Sequence, residues 1–194
     1  FEAAPETIAS AATYAAACRA AGAVVTAIDA VLDGRARNAF CAVRPPGHHA
    51  ERDRAMGFCF LNNVAIGARY ARRRWGLERV AIIDWDLHHG NGTQHAFEQD
   101  PTVFYVSLHE YPLYPHSGRR DETGLGPGRG FTLNIPMAAG ATDTDYHRAF
   151  REEIRPALDT FRPELLLISA GFDAHRDDTM GGILLTETGF ADLT

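Results

Sequence analysis

The stretch Ile82-Ile83-Asp84-Trp85-Asp86-Leu87-His88-His89-Gly90-Asn91-Gly92 carries an apolar strand into two carboxylates and a histidine at alternating positions. Side chains of an extended segment alternate between faces, so Asp84, Asp86 and His88 are expected on the same side. Three metal-capable groups on one side of a strand end define a candidate cation site.

The rest of the chain bounds what such a site can belong to. At 194 residues and 45% hydrophobic composition, the chain suits a single well-cored domain, residues 1–194. No apolar run approaches the ~18 residues of a membrane span, and no signal-peptide pattern opens the chain. Cys18, Cys41 and Cys59 are odd in number and widely spaced, which disfavours a disulfide framework or a cysteine zinc knuckle and predicts a reducing, cytoplasmic setting. A formal charge of -6 argues against a general nucleic-acid binder. All 19 basic residues are arginine, a bias that a GC-rich genome accounts for. The chain opens on Phe1 and stops at Thr194 inside the beginning of a helix, so both ends are expected to be cut.

Working outward, apolar residues at Tyr14, Cys18, Ala21, Val25, Ile28 and Leu32 predict a helix over 8–32 with one buried stripe. A short strand is expected at Ala39–Val43, before Arg44-Pro45-Pro46-Gly47 and His48-His49. A helix over 62–75 should stop at Gly76. Arg79–Ile83 is a near-continuous apolar run, as in a parallel strand covered on both faces. Further strands are expected at 102–108, 131–135 and 165–171, and a helix marked by Tyr146, Phe150, Ile154 and Leu158 should be kinked by Pro156. His109–Gly130, with five glycines and three prolines, reads as a long surface loop. The alternation predicts an α/β fold, three layers around a mainly parallel sheet.

Ligands of parallel sheets bind beyond the carboxyl ends of the strands. Three expected strands end in reactive residues, at His48-His49, at Asp84-Asp86-His88 and at Asp173. Asp86, His88 and Asp173 would form a three-ligand site with an open position, the arrangement catalytic zinc uses. His48 and His49 could divide acid and base work if Asp84 holds one through a charged hydrogen bond and Asn91 holds the other through a neutral one.

Four segments carry a family resemblance: Arg44-Pro-Pro-Gly-His48-His49-Ala50, Gly57-Phe58-Cys59-Phe60-Leu61-Asn62-Asn63, Asp84-Trp-Asp86-Leu-His88-His89-Gly90-Asn91-Gly92 and Ala170-Gly171-Phe172-Asp173-Ala174. Together they resemble the signatures of zinc-dependent histone-deacetylase-like amidohydrolases, class II and its bacterial relatives, including acetylpolyamine amidohydrolases. The resemblance implies an arginase/deacetylase-like fold and one catalytic Zn²⁺ on Asp86, His88 and Asp173. It further implies His49 as general base and acid, with His48 bonded to Asp84 as its electrostatic partner. Asn91 matches the class II residue that orients His49. Phe58, Tyr114 and Met180 match walls of the tunnel for the acyl-lysine stem. Asp84, Asp86, His88, Ser107 and Leu108 match the surroundings of a structural K⁺.

The chain also departs from that pattern. The family's glycine-rich loop with a catalytic tyrosine, an oxyanion-type donor, lies beyond the Asp173 motif, past the end of this sequence. The family's first strand would precede Phe1. Thr179-Met180 stands where class II more often has Pro-Leu, and Tyr114 replaces a commoner phenylalanine. The function expected is hydrolysis of N-acetyl-lysine or acetylpolyamine amides. Two readings stand beside it: a same-fold ureohydrolase with two manganese ions, and a non-catalytic fragment or acyl-group binder. The expected partner is an acetylated amine, with no direct nucleic acid and no membrane; self-association into a homo-oligomer is left open. His89 is expected to be structural, and His95, His109, His116, His147 and His175 are expected at the surface or behind the site.

Overall fold

The computed structural model describes residues 2–194; Phe1, on which the expectation about the chain's start rests, lies outside them. The chain forms two compact units, one comprising the chain up to Glu78 together with Asn91–Ala96, the other Arg79–Gly90 and Phe97–Thr194.

The second unit is a parallel sheet whose strands are β3 (Val80–Asp84), β4 (Val103–Glu110), β5 (Thr132–Met137) and β6 (Leu165–Ser169), in the order β5-β4-β3-β6. All three pairings are parallel, with Asp84 level with Ser107 on one side and Ser169 on the other. β3 is buried at every position because it has a strand on each side and cover on each face. Its residues Ala81 and Ile83 pack with Trp85, Leu87, Val106, Leu108 and Ile135, and beyond them with Tyr146, Ile154 and Phe190. The last three come from the helical side: α4 (Asp143–Ala149), a π-helical turn at Phe150–Ile154, α5 (Arg155–Phe161) and α6 (Glu187–Leu193). The helix expected across Tyr146–Leu158 is divided into α4, that π turn and α5, with Pro156 in the first turn of α5, where its missing N–H is tolerated. α4 opens with a reciprocal capping box between Thr142 and Asp145.

β6 is as apolar as β3 in composition but sits at the sheet edge, with Leu166 45% and Ile168 39% exposed. Apolar composition alone does not separate a central strand from an edge strand.

The first unit is built on α1 (Thr13–Leu32) and α2 (Asn63–Trp75). The helices are joined by Asp29, which accepts from Tyr70 Oη at 2.8 Å and Trp75 Nε1 at 2.8 Å. Asn62 caps α2, its side chain accepting from Ala65 N at 3.0 Å, and Gly76 closes it in the left-handed conformation (φ 71°). β1 (Glu2–Ala3) and β2 (Arg54–Ala55) form a small parallel ladder, and the short helix α3 (Asn91–Phe97) follows Gly90.

Three expectations need correction. α1 begins at Thr13, five residues later than 8–32 implied, because Glu6 and Thr7 instead accept from the backbone N–H groups of Gly57 and Phe58. Ala39–Val43 is not a strand: no pairing forms there among the described residues, and Phe40 is 76% exposed. His48-His49 therefore follow a loop. Finally, α1, with 20 residues and mean hydropathy 1.6, is long and apolar enough by length and composition to cross a membrane. Alanines raise its average although Arg19 and Asp29 interrupt every apolar run.

The sheet's asymmetry makes a stability prediction. Ile82→Ala in β3, a fully buried position, should cost roughly 2–5 kcal/mol. Ile168→Ala in β6 should cost about 1 kcal/mol or less. Denaturant unfolding with an unchanged m-value is the measurement; equal losses at both sites would contradict the edge assignment.

Candidate metal centre and paired histidines

Parallel pairing of β3 with β6 brings two loops together beyond the strand ends, Trp85–His88 and Gly171–Asp173. The alternation expected from the sequence continues past β3: Trp85 and Leu87 are buried in the core, while Asp86 and His88 turn the other way and are partly accessible. His88 Nδ1 lies 3.1 Å from Asp86 Oδ1 and 3.0 Å from Asp173 Oδ2. Donor atoms of Asp86, His88 and Asp173 all lie within 4.8 Å of one another. The carboxylates are themselves fixed: Asp173 Oδ1 accepts from Leu87 N at 2.9 Å, and Asp86 Oδ1 accepts from His88 N at 2.8 Å.

At about 4 Å, like charges repel by roughly 4 kcal/mol even at an effective dielectric of about 20. Two carboxylates so placed call for a cation. Burial alone would lower the His88 pKa, but hydrogen bonds and charge from Asp173 and Asp86 outweigh it and push it up to about 10. Two carboxylate oxygens and an imidazole nitrogen converging on one point also form a donor set that suits a divalent ion. Gly171 leaves the necessary room, since a Cβ there would sit 2.0 Å from Asp86 Oδ2 and 2.8 Å from Asp173 Oδ1.

Asp84 is fully buried; Tyr105 Oη donates to its Oδ2 at 3.3 Å and lies 3.2 Å from Gly90 O. Burial, with the Asp84 charge adding, holds the Tyr105 hydroxyl well above its usual range and therefore protonated. Ser107 and Leu108, expected around a cation, are fully buried, and Ser107 Oγ is within 2.9 Å of His109 Nδ1.

In the other unit, His48 and His49 are the two central residues of a turn closed by Ala50 N donating to Gly47 O at 3.0 Å. Their ring centroids are 4.0 Å apart, and both residues are buried. His49 Nδ1 lies 2.8 Å from Asn91 Oδ1, the pairing expected from the sequence. The turn is held from two sides. Asn63 Nδ2 donates to Pro45 O at 3.1 Å, and Thr93 N donates to His48 O at 3.1 Å. Gly92 permits the second contact, because a Cβ there would lie 2.2 Å from Ala50 O.

Phe58 follows Gly57 in a two-residue hairpin loop between Met56 and Cys59, with φ values of 54° at Gly57 and 64° at Phe58. Positive φ at both positions is the type I′ pattern, which normally selects Asn or Gly. A phenylalanine there is strained by roughly 1–2 kcal/mol, yet its ring is 55% exposed. Strain kept for an exposed aromatic points to a role for the ring. Tyr114, from the His109–Gly130 loop, stands edge-on to His88 with centroids 6.2 Å apart. Met180 is 52% exposed.

Several residues escaped the sequence reading. His109, expected near the surface or behind the site, is fully buried and holds the loop through Gly118 O at 2.9 Å from Nε2. His89 is structural, as expected, with Nδ1 2.8 Å from Ser117 Oγ. Tyr105 looked like one more apolar strand residue, and only its hydroxyl against Asp84 reveals its part. Glu51, two residues after His49, gave a local signal only in its position.

The parallel α/β sheet carries a carboxylate–imidazole cluster beyond its strand ends, and a buried histidine pair lies elsewhere in the chain. The family model for the histone deacetylase domain matches residues 2–194, and the chain belongs to that family. It is 44% identical over 174 residues to a probable deacetylase of Archaeoglobus fulgidus, covering 90% of this chain and 48% of that protein. It is 47% identical over 189 residues to the polyamine deacetylase HDAC10 of Rattus norvegicus, covering 94% of this chain and 32% of that one. Among solved structures, the HDA15 HD domain superposes with a TM-score of 0.90 at 44% identity, covering 92% of this chain and 53% of the other. The chain thus spans about half the length of these relatives, or less.

Two substitutions test the geometry. Gly171→Ala should weaken divalent-metal binding about 10–100-fold with the fold retained, read by calorimetric titration beside circular dichroism; unchanged affinity would mean the loop is not part of a metal centre. Phe58→Asn should leave stability unchanged or raise it by up to about 1 kcal/mol, because asparagine tolerates left-handed φ. A loss of several kcal/mol on thermal unfolding would instead make Phe58 an ordinary packing residue.

Proposed function

We propose that this chain is part of a deacetylase catalytic domain that hydrolyses the amide of an acetylated amine, a lysine side chain or a polyamine. The observation that carries the reading is the convergence of Asp86, His88 and Asp173 within 4.8 Å, in a chain of the histone deacetylase family. A zinc ion held by those three residues supplies a Lewis acid and lowers the pKa of water at the site. Three donors in one cluster suit a single ion better than the bridged pair of a binuclear ureohydrolase.

The remaining chemistry falls to the protein's own side chains. His49 takes a proton from the attacking water at its Nε2 and returns it to the departing amine nitrogen, a transfer that needs the other ring nitrogen fixed. Asn91 fixes it, as Oδ1 faces Nδ1 at 2.8 Å. A neutral carboxamide leaves the imidazole pKa nearer the working range than an aspartate would. His48, for which the family resemblance implies Asp84 as charge partner, would supply positive potential beside the developing oxyanion. Phe58, Tyr114 and Met180 line the path of the acyl-amine stem. Asp84, Asp86, His88, Ser107 and Leu108 are the residues that would surround a structural potassium ion. The two sets are tied through the sequence itself, since Asn91 follows His88 by three residues.

Metal analysis and an acyl-transfer assay test this reading. The purified chain should hold one equivalent of zinc, and Asp173→Ala should lose it with any hydrolysis of an N-acetyl-lysine peptide or N-acetylated polyamine. Full metal content in the variant, or two manganese ions in the parent chain, would overturn it. The relative rates on peptide and polyamine assign the substrate.

A further inference from the structure

The contacts behind His49 continue past Asn91. Asn91 Nδ2 donates to Glu51 Oε1 at 2.5 Å, and the same oxygen lies 2.8 Å from His95 Nδ1. Met56 Sδ, a weak acceptor, stands 3.4 Å from the same amide nitrogen. The two ends of a carboxamide are nearly identical in shape, so packing alone cannot orient it. Chemistry can: an ionised carboxylate only accepts hydrogen bonds. With Glu51 on one side, the amide NH₂ must face Glu51 and the carbonyl must face His49. His49 Nδ1 must then carry the proton, which leaves the lone pair at Nε2.

We infer that Glu51 is a positioning residue that locks the Asn91 amide and thereby the tautomer of His49, with His95 as its solvent-facing partner. This rests on the proposed function only for its catalytic meaning. The run grades from inside to outside: His49 and Asn91 are each 4% exposed, the Glu51 side chain 20% and the His95 side chain 48%. Bulk solvent therefore reaches the network at His95. Two other charges bear on it within this unit: Arg54, close enough to act on Glu51, and Glu6, which accepts from the N–H of Gly57. His48, ring to ring with His49, is the remaining titratable neighbour there. Burial alone would raise the Glu51 pKa, but the His95 hydrogen bond and charge, with Asn91 and Arg54, hold it below the usual glutamate value. The carboxylate is thus ionised wherever the histidines titrate.

The arrangement does two things for a general base. It removes the tautomer in which the proton sits on Nε2 and the base is blocked. It also passes a negative charge across a polarisable amide, so His49 is more basic than a neutral partner alone would make it.

The test reads His49 directly by ¹⁵N–¹H correlation of the histidine rings in the labelled full chain, without substrate. The wild type should show the Nδ1–H tautomer. Glu51→Gln keeps the shape but removes the charge and can itself flip. It should give a mixture of tautomers and lower the His49 pKa by about one pH unit. His95→Gln, at an exposed position, leaves the carboxylate on Asn91. It should retain the tautomer with a His49 pKa equal to or above the wild-type value. An Nε2–H tautomer in the wild type, an unchanged His49 in Glu51→Gln, or a lowered pKa in His95→Gln would each overturn the inference. Should Glu51→Gln fail to fold, the wild-type tautomer and His95→Gln still decide it. Because no turnover is measured, an inactive wild type would remove the proposed function and leave this result standing. If both hold, the acid limb of the kcat/KM profile shifts with the same sign as the His49 pKa.

Discussion

Asp86 and Asp173 both turn a carboxylate oxygen toward one nitrogen of His88, and that concentration of charge constrains everything around it. Nothing in the sheet below can compensate it, because β3 and its neighbours are apolar where they meet the core. Compensation must come from a cation at the site, and the surroundings keep the carboxylates from relaxing apart. The backbone N–H groups of Leu87 and His88 hold one oxygen each. Trp85 and Leu87 anchor the intervening residues in the core, so the loop cannot rotate to separate its charges without exposing both. The parallel register of β3 and β6 is what makes the meeting possible, as it sets residues 87 positions apart, Asp86 and Asp173, beyond the ends of adjoining strands.

The histidine pair is positioned by other means. No strand delivers it. A tight turn presents both rings, and neighbouring backbone is brought close enough that glycine is required at Gly57, against the His49 ring, and at Gly92, against the Ala50 carbonyl. Asn62 and Asn63, which look like polar surface residues, are structural: one caps α2 and donates to Thr93 Oγ1 at 3.0 Å, the other holds the Pro45 carbonyl. Much of what reads as a signature in this part of the chain is therefore scaffold for two rings.

What could be read in advance follows from range. The candidate ligands at Asp86 and His88 were legible because strand alternation is local and survives four residues beyond β3. Asp173 needed an assumption about which strands adjoin, and β3–β6 pairing makes it good. The same local logic failed at Ala39–Val43, where composition suits a strand but no partner pairs with it among the described residues. It failed again at the start of α1, where helical spacing over 8–12 is outweighed by the contacts Glu6 and Thr7 make with a hairpin some fifty residues away. Glu51, Tyr105 and His109 were invisible for another reason. Each acts through polar side-chain atoms, and sequence spacing carries no information about where a hydroxyl, imidazole or carboxylate finds its partner.

The turn that carries His48 and His49 has a consequence for how this chain can vary. Both residues are central positions of one four-residue turn closed by Gly47 and Ala50, so one turn places both rings. A one-residue insertion or deletion upstream would not merely displace the pair: it would hand Asn91 the other histidine, or none. Drift in length is thus closed off between Arg44 and Ala50. By contrast, Gly126 and Gly130 of the Gly118–Gly130 segment have open space around them and can take a side chain's volume, whereas Gly118, Gly124 and Gly128 are packed against neighbouring atoms.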